Sequence, residues 1–269
     1  MASPGARRSI DLGTDDLRFE TGPVAWLTFN RPQARNAMTW AMYDGLYAAC
    51  EHVDADEAVR AFVLRGAGDR AFVAGTDISQ FQAFKTAEDA LHYERSVNRY
   101  VSRLEAVQKP TIAMIRGYCV GGGAAIAVAC DLRIAAHDAK FGVPIARTLG
   151  NTLSAQNLAR LVALIGPART TELLVTARFI DAAEGKAIGL FSEAVGAEAL
   201  ESRTEELAQL IAGHAPLTLR SVKESVRRLL MHGRIDEPAD LYLMCYLSED
   251  FREGVSAFLE KRTPQWKGR

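Results

Sequence analysis

Gly121, Gly122 and Gly123 run straight into the apolar stretch "AAIAVAC", with no acid until Asp131. Glycine loses more backbone freedom on folding than any other residue and offers no side chain to pack. Three in a row ahead of a helix-forming run therefore mark a place where the backbone itself must come close to something. A helix start leaves its first amides without internal partners, and the aligned peptide dipoles add partial positive charge there. A negative atom suits such a turn. The run is not a phosphate loop, because no Lys-Ser/Thr follows it, and it lacks the G-x-G-x-x-G spacing of a dinucleotide fold.

A second stretch, "AFVAGTDISQF" (residues 71–81), has the same grammar. A strand ends at Phe72–Val73, a turn follows at Ala74–Gly75–Thr76, and Asp77 with Gln80 forms a cap pair for a helix. Two such turns could converge on one oxygen. That arrangement is an oxyanion hole, in which loss of one donor typically costs ~10²–10³ in rate.

The rest of the chain supplies a frame for these turns. "LRFE" and "VAWLTFN" read as strands joined at Thr21–Gly22–Pro23, and a helix follows from about Thr39 to Val53. "AFVLRGAG", "TIAMI" and "LRIAA" read as further buried strands. Between the first two of these, Leu91, Val97, Val101 and Leu104 keep helical spacing and the pattern stops before Pro110. From about Ser154 onward the pattern reads as helical throughout. The expectation is an α/β core followed by a helical C-terminal part, with "MASPGARRSIDLG" a loose arm and no internal sequence repeat.

Composition narrows the classes. A chain of 269 residues, 48% hydrophobic with a net charge of -1, can bury a core without staples and has no general attraction to nucleic acid or an anionic membrane. No run approaches the ~18 apolar residues of a membrane span, and the N-terminus lacks the apolar segment of a signal peptide. Cys50, Cys119, Cys130 and Cys245 show no C-x-x-C spacing, which points to neither disulfides nor zinc and fits a reducing cytoplasm. His52, His92, His137, His214 and His232 form no ligand pattern, so no metal is expected.

Taken together, "FNRPQARNAM", "AFVAGTDISQF", "KPTIAMIRGYCVGGGAAIAVACDLRIAAHDAKFGVP", "GPARTTELLVTARFIDAAEGKAIGL" and "REGVSAFLEKRTPQWKG" resemble the crotonase superfamily, the enoyl-CoA hydratase/isomerase proteins, in order and over nearly the whole chain. The resemblance implies a crotonase-like spiral of ββα units over residues 1–200. It implies a helical C-terminal trimerisation region over 201–269, assembled as a homotrimer or a dimer of trimers. It implies an acyl-CoA thioester as ligand, with no cofactor beyond the coenzyme A of the substrate. Matched residue by residue, the oxyanion-hole amides belong to Thr76 and Gly122, with Ala74, Asp77 and Ile78 beside the first. Arg31 and Arg35 lie along the nucleotide, and Lys261 and Trp266 close the chain with groups suited to phosphate and adenine.

The resemblance also implies a glutamate two residues after the last glycine and another after the proline of "FGVP". Ala125 and Ile145 stand at those positions. Neither can move a proton, so hydration by paired glutamates is not expected. Between Val107 and Thr171 the only carboxylates are Asp131, read as structural, and Asp138, read as a turn residue. The remaining polar candidates are Arg147, Asn151, Thr152 and Ser154 after "FGVP", with Asn151 and Ser154 also reading as helix caps. On the helix after the first turn stand Asp89, His92, Tyr93 and Glu94, of which His92 has the side chain suited to a base. Isomerisation, decarboxylation, thioester hydrolysis and hydration by a different residue all stay open. The alternative is a non-catalytic acyl-CoA-binding homologue that keeps the hole.

Overall fold

The computed structural model describes residues 7–83, 85–232 and 238–269, without the side chains of 82, 83, 231 and 232. Residues 1–6 of the expected arm, the His232 side chain and Gly233 lie outside the described residues. In chain order the strands are β1 (Arg8–Ile10), β2 (Leu17–Thr21), β3 (Val24–Phe29), β4 (Ala61–Gly66), β5 (Ala71–Val73), β6 (Thr111–Ile115), β7 (Tyr118–Val120), β8 (Leu132–Ala136), β9 (Lys140–Gly142), β10 (Ile180–Asp181) and β11 (Glu193–Val195). The helices are α1 (Trp40–Ala55), α2 (Ala87–Glu105), α3 (Gly122–Ala129), α4 (Ile145–Thr148), α5 (Ala155–Thr176), α6 (Ala182–Ala187), α7 (Leu200–Ala212), α8 (Pro216–His232), α9 (Ala239–Tyr246) and α10 (Glu249–Glu260).

The strands sort into two sheets, ordered β1-β2-β3-β4-β6-β8-β11 and β10-β9-β7-β5. The pairs β4/β5, β6/β7 and β8/β9 each send their first strand to the large sheet and their second to the small one. Each pair leads to a helix. Repetition of this ββα unit winds the chain into a spiral, although the sequence shows no repeat. The two β-strands of each unit are too short, and their partners too distant, to leave a period in the residues.

The large sheet is parallel from β3 through β11 and buried on both faces, as parallel sheets usually are. Alternation divides its side chains. Ala25, Leu27 and Phe29 of β3 enter the core shared with α1 and α3, whereas Val24 and Trp26 enter a second core with Leu200, Ala208 and Ile211 of α7. Thus α7, which begins at the expected domain boundary, covers the other face of the large sheet.

Three expectations need correction, and a fourth feature of the helical part adds to them. The described part of the arm, from Arg7 on, is not loose: Arg8–Ile10 pairs antiparallel with Thr21–Phe19, and the Arg7 guanidinium stands 4.8 Å from the Trp26 ring and bonds Glu205 at 2.6 Å. The C-terminal half is not helical throughout, because β10 pairs with β9 and β11 with β8; strands of two and three residues are invisible to a period count. The helix expected after Asp77 is a single 3-10 segment, Ile78–Ala83. The run from residue 155 to 176 bends at Gly166 (φ 77°, ψ 163°), just before Pro167.

Candidate active site

The glycine triplet divides its work. Gly121 takes φ 55° and ψ −114°, a region with positive φ that side chains rarely adopt. A Cβ on Gly123 would fall 2.1 Å from the Val73 carbonyl oxygen, so glycine there lets α3 lie against β5. A Cβ on Gly122 would stand 2.8 Å from Tyr43 Oη, 3.2 Å from Thr76 Oγ1 and 3.5 Å from Thr76 N. The two strand-to-helix turns therefore meet.

Thr76 is oriented by pairing rather than by a helix end. It forms an isolated parallel bridge with Met38. The Met38 N–H donates to Gly75 O at 2.9 Å, and the Asp77 N–H donates to Met38 O at 2.9 Å. Backbone groups alternate direction along an extended segment, so the Thr76 N–H faces away from Met38. Among the described residues neither the Thr76 nor the Gly122 N–H has an acceptor. The strand that holds Thr76 is in turn fixed by Asn36. Fully buried at φ 57°, it donates to Ala67 O and Ala71 O at 3.0 and 2.8 Å and accepts from the Arg31 N–H at 2.9 Å.

Both amides border a cavity of about 220 Å³. Ala74, Ile78, Ala125, Ile145 and Asn151 line it, as expected of a wall around the two turns, and so do Tyr93, Glu94 and Val97 of α2. The Thr76 hydroxyl, for which sequence reading finds no role, bridges Tyr43 Oη at 2.9 Å and Tyr93 Oη at 3.0 Å. Burial raises both phenols above their ordinary range, so both are protonated at neutral pH and remain possible donors.

Glu94, which sequence reading names on this helix without giving it a role, stands at the cavity. Burial holds its carboxyl above the usual carboxylate range, and it has no hydrogen-bond or ion-pair partner among the described residues. The signal is faint but present: Glu94 stands three residues before Val97 and seven before Val101, within the buried stripe of α2. His92 was the expected base on this helix, and the structure places it elsewhere. Its ring is exposed, approaches Ser96 Oγ at 3.5 Å and takes no part in the cavity lining, because one residue along a helix turns the side chain by about 100°.

Other candidates are placed as follows. Arg31 donates to Asp77 at 2.7 Å and to Ala37 O at 3.2 Å, so it braces the first turn instead of standing free for phosphate. Asp77 accepts from the Ser79 hydroxyl and N–H and from Arg31, which together lower its pKa. It lies outside the lining. Lys261 and Trp266 do not reach this cavity: Lys261 ends α10 in a left-handed turn, and Trp266 packs on Gly254 in a separate groove. Arg35 is exposed, 5.8 Å from the Tyr118 ring. Ser154 caps α5 and donates to Asn98 at 2.7 Å. Asn151 caps nothing and faces the cavity instead. Asp131 is structural, accepting from the Thr111 N–H and hydroxyl and from Lys223. Among the described residues no His, Cys, Asp or Glu cluster could hold a metal, and no helix is long and apolar enough to cross a membrane.

Comparison with known proteins sets this geometry in context. Residues 20–269 match a family described as enoyl-CoA hydratase/isomerase. The chain is 35% identical over 245 residues to a short-chain-enoyl-CoA hydratase of Clostridium acetobutylicum, covering 90% of this chain and 93% of that protein. It is 32% identical to a 2,3-dehydroadipyl-CoA hydratase of Escherichia coli, over 91% of this chain and 96% of that one. A crystal structure of an enoyl-CoA hydratase/carnithine racemase from Magnetospirillum magneticum superposes with a TM-score of 0.89 at 34% identity, covering 96% and 97% of the two chains.

Proposed function

The chain belongs to the enoyl-CoA hydratase/isomerase family of the crotonase superfamily and is an enzyme of that family, and from this we propose that Thr76 and Gly122 hold the thioester carbonyl oxygen of an acyl- or enoyl-CoA. The observation that carries the reading is the meeting of two unpaired amides, with the Gly122 Cβ position 3.5 Å from Thr76 N, at the wall of one cavity. Such donors stabilise charge that develops on the oxygen as the α-carbon loses or gains a proton, so they favour the transition state over the ground state. Ala125 and Ile145 supply apolar wall where the family resemblance leads one to look for glutamates. Hydration by a carboxylate pair is accordingly not the reaction proposed.

The nucleotide end of the ligand has a matching surface. Tyr118, 41% exposed and two residues before the cavity wall at Val120, lies edge to face with Phe179 at 5.8 Å. Arg35 covers Tyr118, and Arg147 stands 6.0 Å from the Phe179 ring. Guanidinium groups suit phosphate and exposed rings suit adenine, so this row receives the coenzyme A end in the reading proposed. The exposed apolar residues of α8, α9 and α10, among them Val222, Leu230, Tyr246 and Phe258, favour a homotrimer or a dimer of trimers over a monomer. The four free thiols suit a cytoplasmic location.

The test is Gly122→Pro, which removes one N–H at a first-turn position whose φ suits proline, while its Cβ meets the Tyr43 hydroxyl at 2.8 Å, a contact that side-chain movement has to relieve. With the fold retained by circular dichroism, turnover of a panel of acyl-CoA thioesters is expected to fall ~10²-fold or more. Unchanged turnover would discard the assignment of the hole.

A further inference from the structure

A hole that stabilises an enolate needs a group to move the proton. We propose that Glu94, on α2, is the carboxylate that removes a proton from the acyl chain of the bound thioester and returns it. The inference rests on the reading of Thr76 and Gly122 given above, and it goes beyond that reading by naming the proton-transfer residue and limiting the chemistry to what one carboxylate can do.

Three observations converge. Of the described residues that line the cavity, only Tyr93 and Glu94 titrate. The Tyr93 phenol is engaged with Thr76 and is pushed further from ionisation by burial, which leaves Glu94. Its carboxylate is also unspent: no cation, amide or hydroxyl among the described residues holds it. Every other acid discussed for the site is committed elsewhere, Asp77 to Arg31 and Ser79, and Asp131 to Thr111 and Lys223. Finally, Tyr93, Glu94 and Val97 share one face of α2, and that face borders the same cavity as the Thr76 and Gly122 amides.

The step balances without another reactant. The carboxylate of Glu94 takes a proton from the α-carbon; the C–H electron pair becomes the enolate double bond, and negative charge moves to the oxygen held by Thr76 and Gly122. Glu94 is then the neutral acid. Return of the proton to the α-carbon gives exchange with solvent. In a β,γ-unsaturated acyl chain, return to the γ-carbon shifts the double bond toward the thioester. Syn addition of water, which calls for a second group to position and deprotonate the water, has no second carboxylate among the described residues of this cavity. The lone carboxylate thus points to proton-shift chemistry on an acyl-CoA. Burial, by raising the Glu94 carboxyl, makes it a stronger base once ionised.

Butyryl-CoA is the probe, incubated with the full chain in deuterium oxide. Deuterium at the α-carbon is read by mass spectrometry, and binding of the same thioester is read separately by calorimetry. The wild-type chain is expected to bind and to exchange. Glu94→Gln is expected still to bind and to exchange at least ~10²-fold more slowly, the usual contribution of a positioned base, with Glu94→Asp intermediate. Exchange by Glu94→Gln within about threefold of wild type, far below the usual contribution of a general base, overturns the assignment. So does a wild-type chain that binds without exchange. Failure of the wild-type chain to bind butyryl-CoA at all overturns instead the thioester reading on which the assignment stands.

Discussion

At the scale of single residues, the site is defined by what its side chains are not doing. Arg31 and Asp77 look like functional polar groups in the sequence, yet both are consumed, together with Asn36, in fixing the first turn. Glu94 looks like one more surface acid and is the carboxylate left over. Its environment has a consequence for stability. The groups that face it are the Tyr43 phenol from α1 and the Tyr93 phenol from its own helix, both neutral; the lining from α3 and α4 carries no charge. With the folded-state pKa above the unfolded value, the fold is least penalised when both states are protonated. As pH rises from the ordinary carboxylate value through the raised one, the unfolded chain ionises first and stability is lost. Glu94→Gln is uncharged throughout. The variant is therefore expected to unfold at a higher temperature than wild type at neutral pH, with the gain vanishing below the ordinary carboxylate range. Melting curves across that window check it, and a constant difference at all pH values would contradict the burial of Glu94.

At the scale of elements, the two turns reach one place by different physics. The second is a true helix start, with Gly121 and Gly122 opening α3. The first opens only a six-residue 3-10 segment, too short for a helix dipole to matter much. There the amide is aimed by the bridge between Met38 and Thr76, an interaction between segments far apart in the chain. Contact between the turns depends on α3 lying directly on β5. Gly123→Ala places a Cβ 2.1 Å from the Val73 carbonyl oxygen and is expected to destabilise the protein by about 1–3 kcal/mol, the usual range for overpacking. Denaturant unfolding measures this. A neutral result would mean that α3 and β5 can part without cost. The helix capping expected at Ser154 is observed, and Thr39 caps α1 in the same way, because caps are local and need nothing beyond the next three residues.

For the whole molecule, the ββα spiral is closed on one face of the large sheet by α7, while α8, α9 and α10 leave apolar residues in water. Phe258 is 84% and Leu259 74% exposed. Contiguous exposure of this kind usually marks a surface that another chain covers. Light scattering coupled to gel filtration is expected to give a trimer or a multiple of it, and Phe258→Asp, a charge placed on that face, is expected to shift the mass toward the monomer. A monomeric wild-type chain would remove the case for assembly.

The order of strand and helix in the first half, the glycine triplet with its apolar helix, and the family resemblance are all properties of neighbouring residues, and the sequence by itself determined them. Periodicity, capping and turn composition act over a few positions, and they survive being read in one dimension. The short strands β10 and β11 and the pairing of the N-terminal segment depend on partners about 10 to 60 residues away, and no local pattern encodes them. The site divides in the same way. The two turns could be found in the sequence, and the family resemblance named Thr76 and Gly122 within them, but their approach to one another, the exposure of His92 and the position of Glu94 at the cavity were decided only when the sheets brought β5, α2 and α3 together. Which side chain of a helix meets a cavity depends on a rotation of about 100° per residue, and tertiary packing sets that phase.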